Sequence, residues 1–251
     1  MTTETVTPKR LDIHNSDVPV LCRSCEARHK GVCGVLTPEQ LVALSHHTVK
    51  HNLDPERQII AEGETEQRFS NIMSGVVKLS KLTADGRRQI VGLQFAPDFL
   101  GRPFSAHSDC EAEAATHVKL CSFPRTALEN LIRKSPDLEH RLYQQASREL
   151  QEAHDWMLAL GRKTATEKVA SFIYFVATRI DPEQAHSSTP LLIDLPLDRH
   201  DIADFLGLTI ETVSRQITKL RKAGVIKLVN NRTIEIPDLE KLDHFREVIM
   251  D

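Results

Sequence analysis

Between residues 55 and 124 the chain alternates hydrophobic and polar residues in short runs, for example QIIAEG, FSNIMSGVVKLSKLT, RRQIVGLQF and THVKLCSF. Alternation with a period of two places the apolar side chains on one face of a β-strand. Glycines separate the runs, and the pair Asp85-Gly86 between two of them is typical of a β-hairpin turn. Several short strands at this spacing predict an antiparallel β-barrel or sandwich.

After Pro124 the hydrophobic pattern changes to the period of an α-helix and stays helical. Residues 125–134 predict one short helix, and residues 137–163 predict a second helix of 27 residues. A stripe of small and apolar residues recurs along the second helix at steps of three and four: Ala146, Leu150, Ala153, Met157 and Leu160. Such a/d spacing is typical of a coiled-coil seam. The helix would be about 40 Å long. Because that is longer than a small barrel, a homodimer seam is favoured over packing of the stripe on the chain's own barrel.

Two further helices joined by a tight turn are predicted in the C-terminal segment DRHDIADFLGLTIETVSRQITKLRKAGVIKLV. Asp198 and Thr209 are suited to cap the two helices, and Gly207 can adopt the left-handed backbone that the turn requires. The second helix is expected to bury the stripe Ile210, Val213, Ile217 and Leu220. Apolar runs on either side of Asn-Asn-Arg predict a β-wing, so the segment is predicted to be a winged helix-turn-helix.

The opposite face of the second helix is polar and basic, and its residues are candidates for binding DNA: Glu211, Thr212, Ser214, Arg215, Lys219 and Lys222. Residues 211–232 hold six basic residues and one acid, a local charge of +5 in a chain whose net charge is −3. In a helix-turn-helix the N-terminal part of this helix faces base edges in the major groove. Glu211 is placed to accept from a cytosine amine, Arg215 to donate to guanine, and Ser214 to allow close approach to a thymine methyl. Thr212, Lys219 and Lys222 are expected to contact phosphates.

The composition favours a soluble, globular protein of the cytoplasm, and the length is sufficient for two ordinary domains or one large one. The 251 residues are 40% hydrophobic and 27% charged. No apolar run approaches the length of about 18 residues needed to cross a membrane, so no membrane partner is expected. The first 21 residues are polar and unpatterned, which predicts a flexible arm without a secretory core.

Three of the five cysteines form the pattern Cys22-x2-Cys25-x7-Cys33. Cytoplasmic thiols stay reduced, and an odd number of cysteines fits a disulfide framework poorly. A thiol–disulfide enzyme is disfavoured, because its Cys-x-x-Cys pair belongs at a helix start in a βαβ unit, whereas this pair lies in an arm predicted to be irregular. No catalytic residues are therefore expected. Clustered thiolates bind zinc or an iron–sulfur cluster, and the spacing alone leaves both open.

The predicted elements include a barrel with an Asp-Gly-Arg turn, a long dimer helix and a winged helix containing LGLTIETVSRQ. In these features the chain resembles the CRP/FNR family of bacterial transcription regulators, over residues 22 to about 240. ETVSR at 211–215 and the N-terminal cysteines are similar to the oxygen-sensing FNR branch of alphaproteobacterial FnrL/FnrN type. The resemblance implies an α+β fold with a cyclic-nucleotide-binding-like β-barrel, a long dimerisation helix and a C-terminal winged helix-turn-helix. It also implies a homodimeric activator that contacts RNA polymerase and binds palindromic TTGAT-N4-ATCAA sites when oxygen is low, with Glu211, Ser214 and Arg215 at the base-reading positions.

In that branch a [4Fe-4S] cluster is held by three N-terminal cysteines and a fourth from the barrel, so the resemblance implies the same cofactor here. Cys110 lies among acids at 109, 111 and 113, whose charge opposes a further thiolate. Cys121 lies in the strand-like run THVKLCSFPR, where the fourth cysteine of the family stands. The predicted ligands are therefore Cys22, Cys25, Cys33 and Cys121. A zinc-stabilised or cluster-free regulator of the same family is the alternative.

Four segments follow from these patterns. They are a flexible arm at 1–21, a cluster-binding arm and β-barrel sensor domain at 22–135, a dimerisation helix at 136–163, and a winged helix-turn-helix domain at 164–251. A cyclic nucleotide is disfavoured as the ligand, because Arg102 stands where nucleotide-binding members of the family have a ribose-binding acid. Glu111 and Glu113 would also repel its phosphate.

Overall fold

The computed structural model describes residues 18–23, 25–105, 107–185 and 190–247. The predicted flexible arm at 1–21 therefore lies outside the described residues except for its last four. The segment that carries the three clustered cysteines was expected to be irregular, and this was wrong. It forms helix α1 (Val20–Arg23), helix α2 (Glu26–Lys30) and a 3-10 turn (Val32–Val35), followed by helix α3 (Pro38–Ser45). Buried apolar residues of the segment, among them Val18, Val32 and Leu36, give these short helices a core to pack on.

Eight strands follow, in two four-stranded antiparallel sheets. The strands are β1 (Val49–Leu53), β2 (Gln58–Ile60), β3 (Arg68–Ser74), β4 (Val76–Leu82), β5 (Arg88–Phe95), β6 (Phe99–Leu100), β7 (Glu111–Ala114) and β8 (Val118–Pro124). One sheet has the order β1-β8-β3-β6 and the other β2-β7-β4-β5. The hairpin predicted at Asp85-Gly86 is confirmed, since β4 and β5 pair on either side of it.

The cyclic-nucleotide-binding-like architecture is confirmed, but the sheet is not the closed barrel that was expected. β6 has two residues and β2 has three, too few pairing positions to join the sheets into a ring. Gly75, between β3 and β4, has φ 89°, and a Cβ there would lie 2.2 Å from the carbonyl oxygen of His117. This glycine lets the chain pass tightly from one sheet to the other.

Two apolar cores lie on either side of the first sheet. One lies between the sheets and includes Ile72, Val77, Leu100, Ala112 and Leu120. The other joins the cysteine-bearing segment to the helices that follow the strands, and includes Phe69, Phe99, Phe123, Leu128 and Leu138. Helix α4 (Arg125–Ile132) and the long helix α5 (Pro136–Arg162) follow β8. Ser135 caps α5 by accepting from the backbone N–H of Leu138.

The C-terminal part is the predicted winged helix-turn-helix. Its elements are α6 (Ala165–Ile180), α7 (Pro182–Ala185), β9 (Leu191–Asp194), α8 (Arg199–Leu206), α9 (Ile210–Lys222), β10 (Lys227–Leu228), β11 (Thr233–Ile236) and α10 (Leu239–Arg246). β10, β11 and β9 form a small sheet. Asp198 and Thr209 cap α8 and α9 as expected, and Gly207 takes the left-handed conformation at φ 61°. Within the described ranges, no helix is both long enough and apolar enough to span a bilayer.

Candidate cysteine cluster and DNA-binding surface

Three cysteines of the N-terminal segment and one of strand β8 lie close enough to influence one another electrostatically. Cys22 belongs to α1, Cys25 precedes α2, Cys33 lies in the 3-10 turn, and Cys121 lies on β8. Burial, followed by the negative charge of Cys121, raises the pKa of the Cys33 thiol to about 12. Burial, followed by the charges of Cys25 and Cys22, raises the pKa of Cys121 to about 11. The N-terminal segment and strand β8 therefore bring together the four cysteines that were predicted as ligands from the sequence.

Cys110 lies elsewhere. It is buried at the start of β7, and burial raises the pKa of its thiol. The charged groups that act on it are Lys81, Arg102 and Glu62. It is thus electrostatically separate from the group of four.

Cationic and hydrogen-bonding groups surround the four thiols and favour their ionised form. Lys50, opposite Cys121 in the β1–β8 register, lowers the pKa of both Cys121 and Cys22, although burial outweighs it. The side-chain amide of Asn71 donates to Cys33 Sγ at 3.0 Å. Burial raises the pKa of Cys22, Cys33 and Cys121, so these thiols stay protonated at neutral pH unless a cation compensates their charge, and a bound metal would displace their protons.

Four cysteine thiolates can hold either a tetrahedral zinc ion or an iron–sulfur cluster, so the donor set alone leaves both open. Among the described residues, the one group of three or more possible metal ligands whose ligand atoms lie within 4.8 Å of one another is formed by His200, Asp201 and Asp204.

That histidine–aspartate group is already neutralised by cations from the second β-sheet. Lys78 Nζ lies 2.8 Å from Asp201 Oδ2, and Arg88 Nε lies 3.0 Å from Asp204 Oδ2. Lys78 also lies 2.8 Å from Glu113, one of the two acids expected to repel a nucleotide phosphate. These ion pairs join strands β4, β5 and β7 to the first helix of the helix-turn-helix.

The predicted DNA-binding residues form one surface of α9. Five of them are exposed and Thr212 is half-buried. Arg215 Nη2 donates to Thr212 Oγ1 at 3.2 Å, which holds the guanidinium near the helix N-terminus. The backbone N–H of Glu211 and then the Thr209 hydroxyl lower the pKa of the Glu211 carboxyl, so it is ionised at neutral pH. Lys219 Nζ donates to Thr166 Oγ1 of α6 at 3.1 Å, a contact that the sequence did not indicate.

One member of the apolar stripe expected to be buried on α9 is exposed. Val213, Ile217 and Leu220 are buried, but Ile210 is 41% exposed. It is the first residue of the helix, three residues before the buried Val213. Its exposed side chain adds an apolar group to the accessible surface at the N-terminal end of α9.

The predicted seam of α5 lies on a face that the chain itself leaves uncovered. Ala146 and Ala153 are exposed, Leu150 and Met157 are 58% and 69% exposed, and Leu160 is half-buried. Tyr143, 71% exposed, extends the same stripe one step toward the N-terminus and was missed, although its spacing of three from Ala146 could have revealed it. Trp156 faces the other way and packs against Phe205 at 4.6 Å.

Arg102, whose position argued against a cyclic nucleotide, forms an ion pair with Asp109. Its backbone N–H donates to Glu66 Oε2 at 3.4 Å, and burial raises the pKa of the Glu66 carboxyl. A nucleotide phosphate would need a free cation near Arg102, but the acidic side chains of Asp109 and Glu66 lie there and Asp109 pairs with the arginine.

Two family models match the chain: a cyclic nucleotide-binding domain at residues 50–135 and a Crp-like helix-turn-helix domain at residues 167–245. A probable transcriptional activator of Rhizobium leguminosarum bv. viciae is 51% identical over 93% of this chain and 96% of its own. The transcriptional activator protein FnrL of Cereibacter sphaeroides is 36% identical over 90% of this chain and 93% of its own. The solved structure of FixK2 from Bradyrhizobium japonicum superposes with a TM-score of 0.73 at 29% identity, covering 81% of this chain and 99% of that one. These relatives are regulators of transcription and not enzymes, and the chain belongs to the CRP/FNR family of transcription regulators.

Proposed function

We propose that the protein is an oxygen-responsive homodimeric transcription activator. It holds a [4Fe-4S] cluster through Cys22, Cys25, Cys33 and Cys121, and it binds TTGAT-N4-ATCAA sites when oxygen is low. The observation that carries the proposal is geometric: Asn71, which pairs with Cys121 across β3 and β8, donates to Cys33 Sγ at 3.0 Å, so the N-terminal segment brings its cysteines to the strand cysteine. The 36% identity to the activator FnrL of C. sphaeroides supports it.

The donor set fits a [4Fe-4S] cluster, which is held by four cysteine thiolates. Four thiolates also bind zinc, and the similarity to the activator FnrL favours the cluster over zinc here. When bound, such a cluster supplies the oxygen-sensitive chemistry, and the chain supplies four thiolates, an amide donor and the nearby cation of Lys50.

The cysteine-bearing segment packs against α5, the proposed dimerisation helix, so a change at the cysteines can affect that helix. Val32 of the 3-10 turn and Leu138 of α5 belong to the same buried core. Arg141 of α5 donates to the backbone carbonyl of Lys30, at the end of α2. Loss of the ligand that ties the cysteine-bearing segment to β8 would loosen this core beneath the first turns of α5. The seam formed by Ala146, Leu150, Ala153, Met157 and Leu160 would then be weakened.

The DNA contacts follow from the exposed surface of α9. In a homodimer two such helices read half-sites about one helical turn of DNA apart. Glu211, Ser214 and Arg215 read base edges, while Thr212, Lys219 and Lys222 contact phosphates. RNA polymerase is the further partner expected of an activator.

The proposal is tested by purifying the full chain without oxygen and measuring its visible absorption, iron, acid-labile sulfide and zinc. We expect a brown protein with four irons and four sulfides per chain, which bleaches in air and loses affinity for a TTGAT-N4-ATCAA duplex. A colourless protein with one zinc per chain would show that the cysteines form a structural zinc site and not a cluster. A metal-free protein that binds the duplex equally well in air would show that the protein is a cluster-free regulator.

A further inference from the structure

Asn71 is a buried polar residue of strand β3 whose side chain faces the cysteine group. It is 5% exposed, and its Nδ2 lies 3.0 Å from Cys33 Sγ. Its Oδ1 is buried without a hydrogen-bond partner. Leaving a buried amide oxygen unsatisfied lowers stability, so an asparagine is an unfavourable choice for a position that serves packing alone.

The register of the sheet places Asn71 between two of the cysteines. Asn71 pairs with Cys121 across β3 and β8, and with Phe99 across β3 and β6. A single side chain on the central part of a sheet therefore sits beside the strand cysteine and hydrogen-bonds the last cysteine of the N-terminal segment. The ring of Phe99 packs against those of Phe69 and Phe123, with centroids 5.7 and 6.3 Å apart, so the strands around Asn71 are covered by aromatic packing.

The chemistry of an amide N–H suits the sulfur of a cluster ligand. Such a donor withdraws electron density from a thiolate, and hydrogen bonds to the sulfurs are among the factors that set the reduction potential of an iron–sulfur cluster. Outer groups that orient a ligand are as much part of a metal site as the ligands themselves. The second hydrogen of the Asn71 amide remains available to a further sulfur at the same place.

We propose that Asn71 is a positioning residue of the cluster site: its amide holds the Cys33 sulfur against the sheet and raises the reduction potential of the bound cluster. This inference rests on the cluster proposed above. Removal of the amide leaves all four cysteines in place, lowers the potential, and makes the cluster easier to oxidise in air.

The test compares Asn71→Leu and Asn71→Asp, which remove the N–H donor at similar volume, with Ser70→Ala. Ser70 is the neighbouring residue of β3, and its side chain bonds Ser122 Oγ at 2.7 Å on the other face of the strand. Each full-length protein is prepared without oxygen. Iron and sulfide content, the reduction potential, the Fe–S(Cys) stretching frequencies and the rate of bleaching in air are measured, together with urea unfolding.

We expect the Asn71 variants to bind four irons, to have a lower potential and shifted Fe–S(Cys) frequencies, and to bleach several times faster, while Ser70→Ala keeps the wild-type values. Loss of iron from Asn71→Leu with an unfolding midpoint like that of Ser70→Ala also supports the inference, because a general defect of the strand would affect both. A full cluster with unchanged potential and frequencies in both Asn71 variants would overturn the inference and leave the cluster in place. Wild-type protein without iron would instead overturn the proposed function.

Discussion

Lys78 of strand β4 and Asp201 of helix α8 form a buried ion pair of 2.8 Å across the boundary between the cyclic-nucleotide-binding-like domain and the helix-turn-helix. The lysine is 4% exposed and also contacts Glu113 of β7 at 2.8 Å. Arg88 of β5 pairs with Asp201 and Asp204 of α8, and Gln89 Nε2 donates to the carbonyl of Phe205 at 3.1 Å. The first helix of the DNA-binding unit is therefore held against the sensor sheet by charges as well as by apolar packing.

Replacing Lys78 by Met should reduce the free energy of unfolding by about 3 kcal/mol, because removing one partner of a buried pair leaves the opposite charges uncompensated. This loss is at the lower end of the range for a broken buried ion pair, because Arg88 still pairs with Asp201 in the variant. Urea unfolding measures the loss. The matched control is Lys81→Met on the exposed end of the same strand, and an equal loss in both variants would contradict the role of the buried pair.

Replacing Cys121 by Ser should abolish the cluster, whereas Cys110→Ser should keep it. Cys121 interacts with Cys22 and Cys25, while the charges that act on Cys110 come from Lys81, Arg102 and Glu62. Anaerobic iron and sulfide assays of the two variants measure the difference. A full iron content in Cys121→Ser together with loss of iron in Cys110→Ser would show that Cys110, and not Cys121, is the fourth ligand.

Replacing Arg215 by Ala should cost about 1–3 kcal/mol of binding to TTGAT sites and relax discrimination at the guanine. The side chain is exposed near the N-terminus of α9, held by Thr212. Competition binding with wild-type and base-substituted duplexes measures both effects. Lys222→Ala is the control, because loss of a phosphate contact weakens all sequences alike and flattens the salt dependence. Unchanged base preference in Arg215→Ala would show that another residue reads the guanine.

Replacing Met157 by Glu should weaken the dimer strongly, because it places two carboxylates together in the seam of α5. The control is Leu158→Glu, the same chemical change one residue further along the helix. Leu158 is 61% exposed and Met157 is 69% exposed, but about 100° of helix rotation separates them. Sedimentation velocity of anaerobic protein measures the dimer. Equal dissociation of both variants would contradict the predicted seam.

Much of the fold could be predicted because its determinants are local in sequence. The caps Asp198 and Thr209, the left-handed Gly207 and the Asp85-Gly86 hairpin lie within a few residues of the backbone they shape. Hydrophobic periodicity likewise identified the strands and the long helix. The stripe of α5 was predicted from spacing; Leu150 and Met157 on it are exposed, and Tyr143, three residues before Ala146, is exposed as well, while the seam itself stays a prediction.

The candidate sites were determined by sequence only in part. Residue types and the family resemblance nominated Cys22, Cys25, Cys33 and Cys121, but their convergence depends on how the N-terminal segment packs on strand β8. Asn71 has no motif around it, and only the pairing of β3 with β8 sets it opposite Cys121. The helical form of the cysteine-bearing segment also follows from the apolar core that it shares with α5.

Contacts between distant residues were decided by tertiary structure alone. Lys78 and Asp201 are 123 residues apart, and nothing in the local pattern of either one indicates the other. The strands form two sheets and not the expected closed barrel because the edge strands β2 and β6 are short. The exposure of Ile210 likewise depends on the packing of α9 and not on its spacing in the sequence. Periodicity and capping act over a few residues and can be recognised along the chain, whereas burial and ion pairing depend on which surfaces meet after the chain has folded.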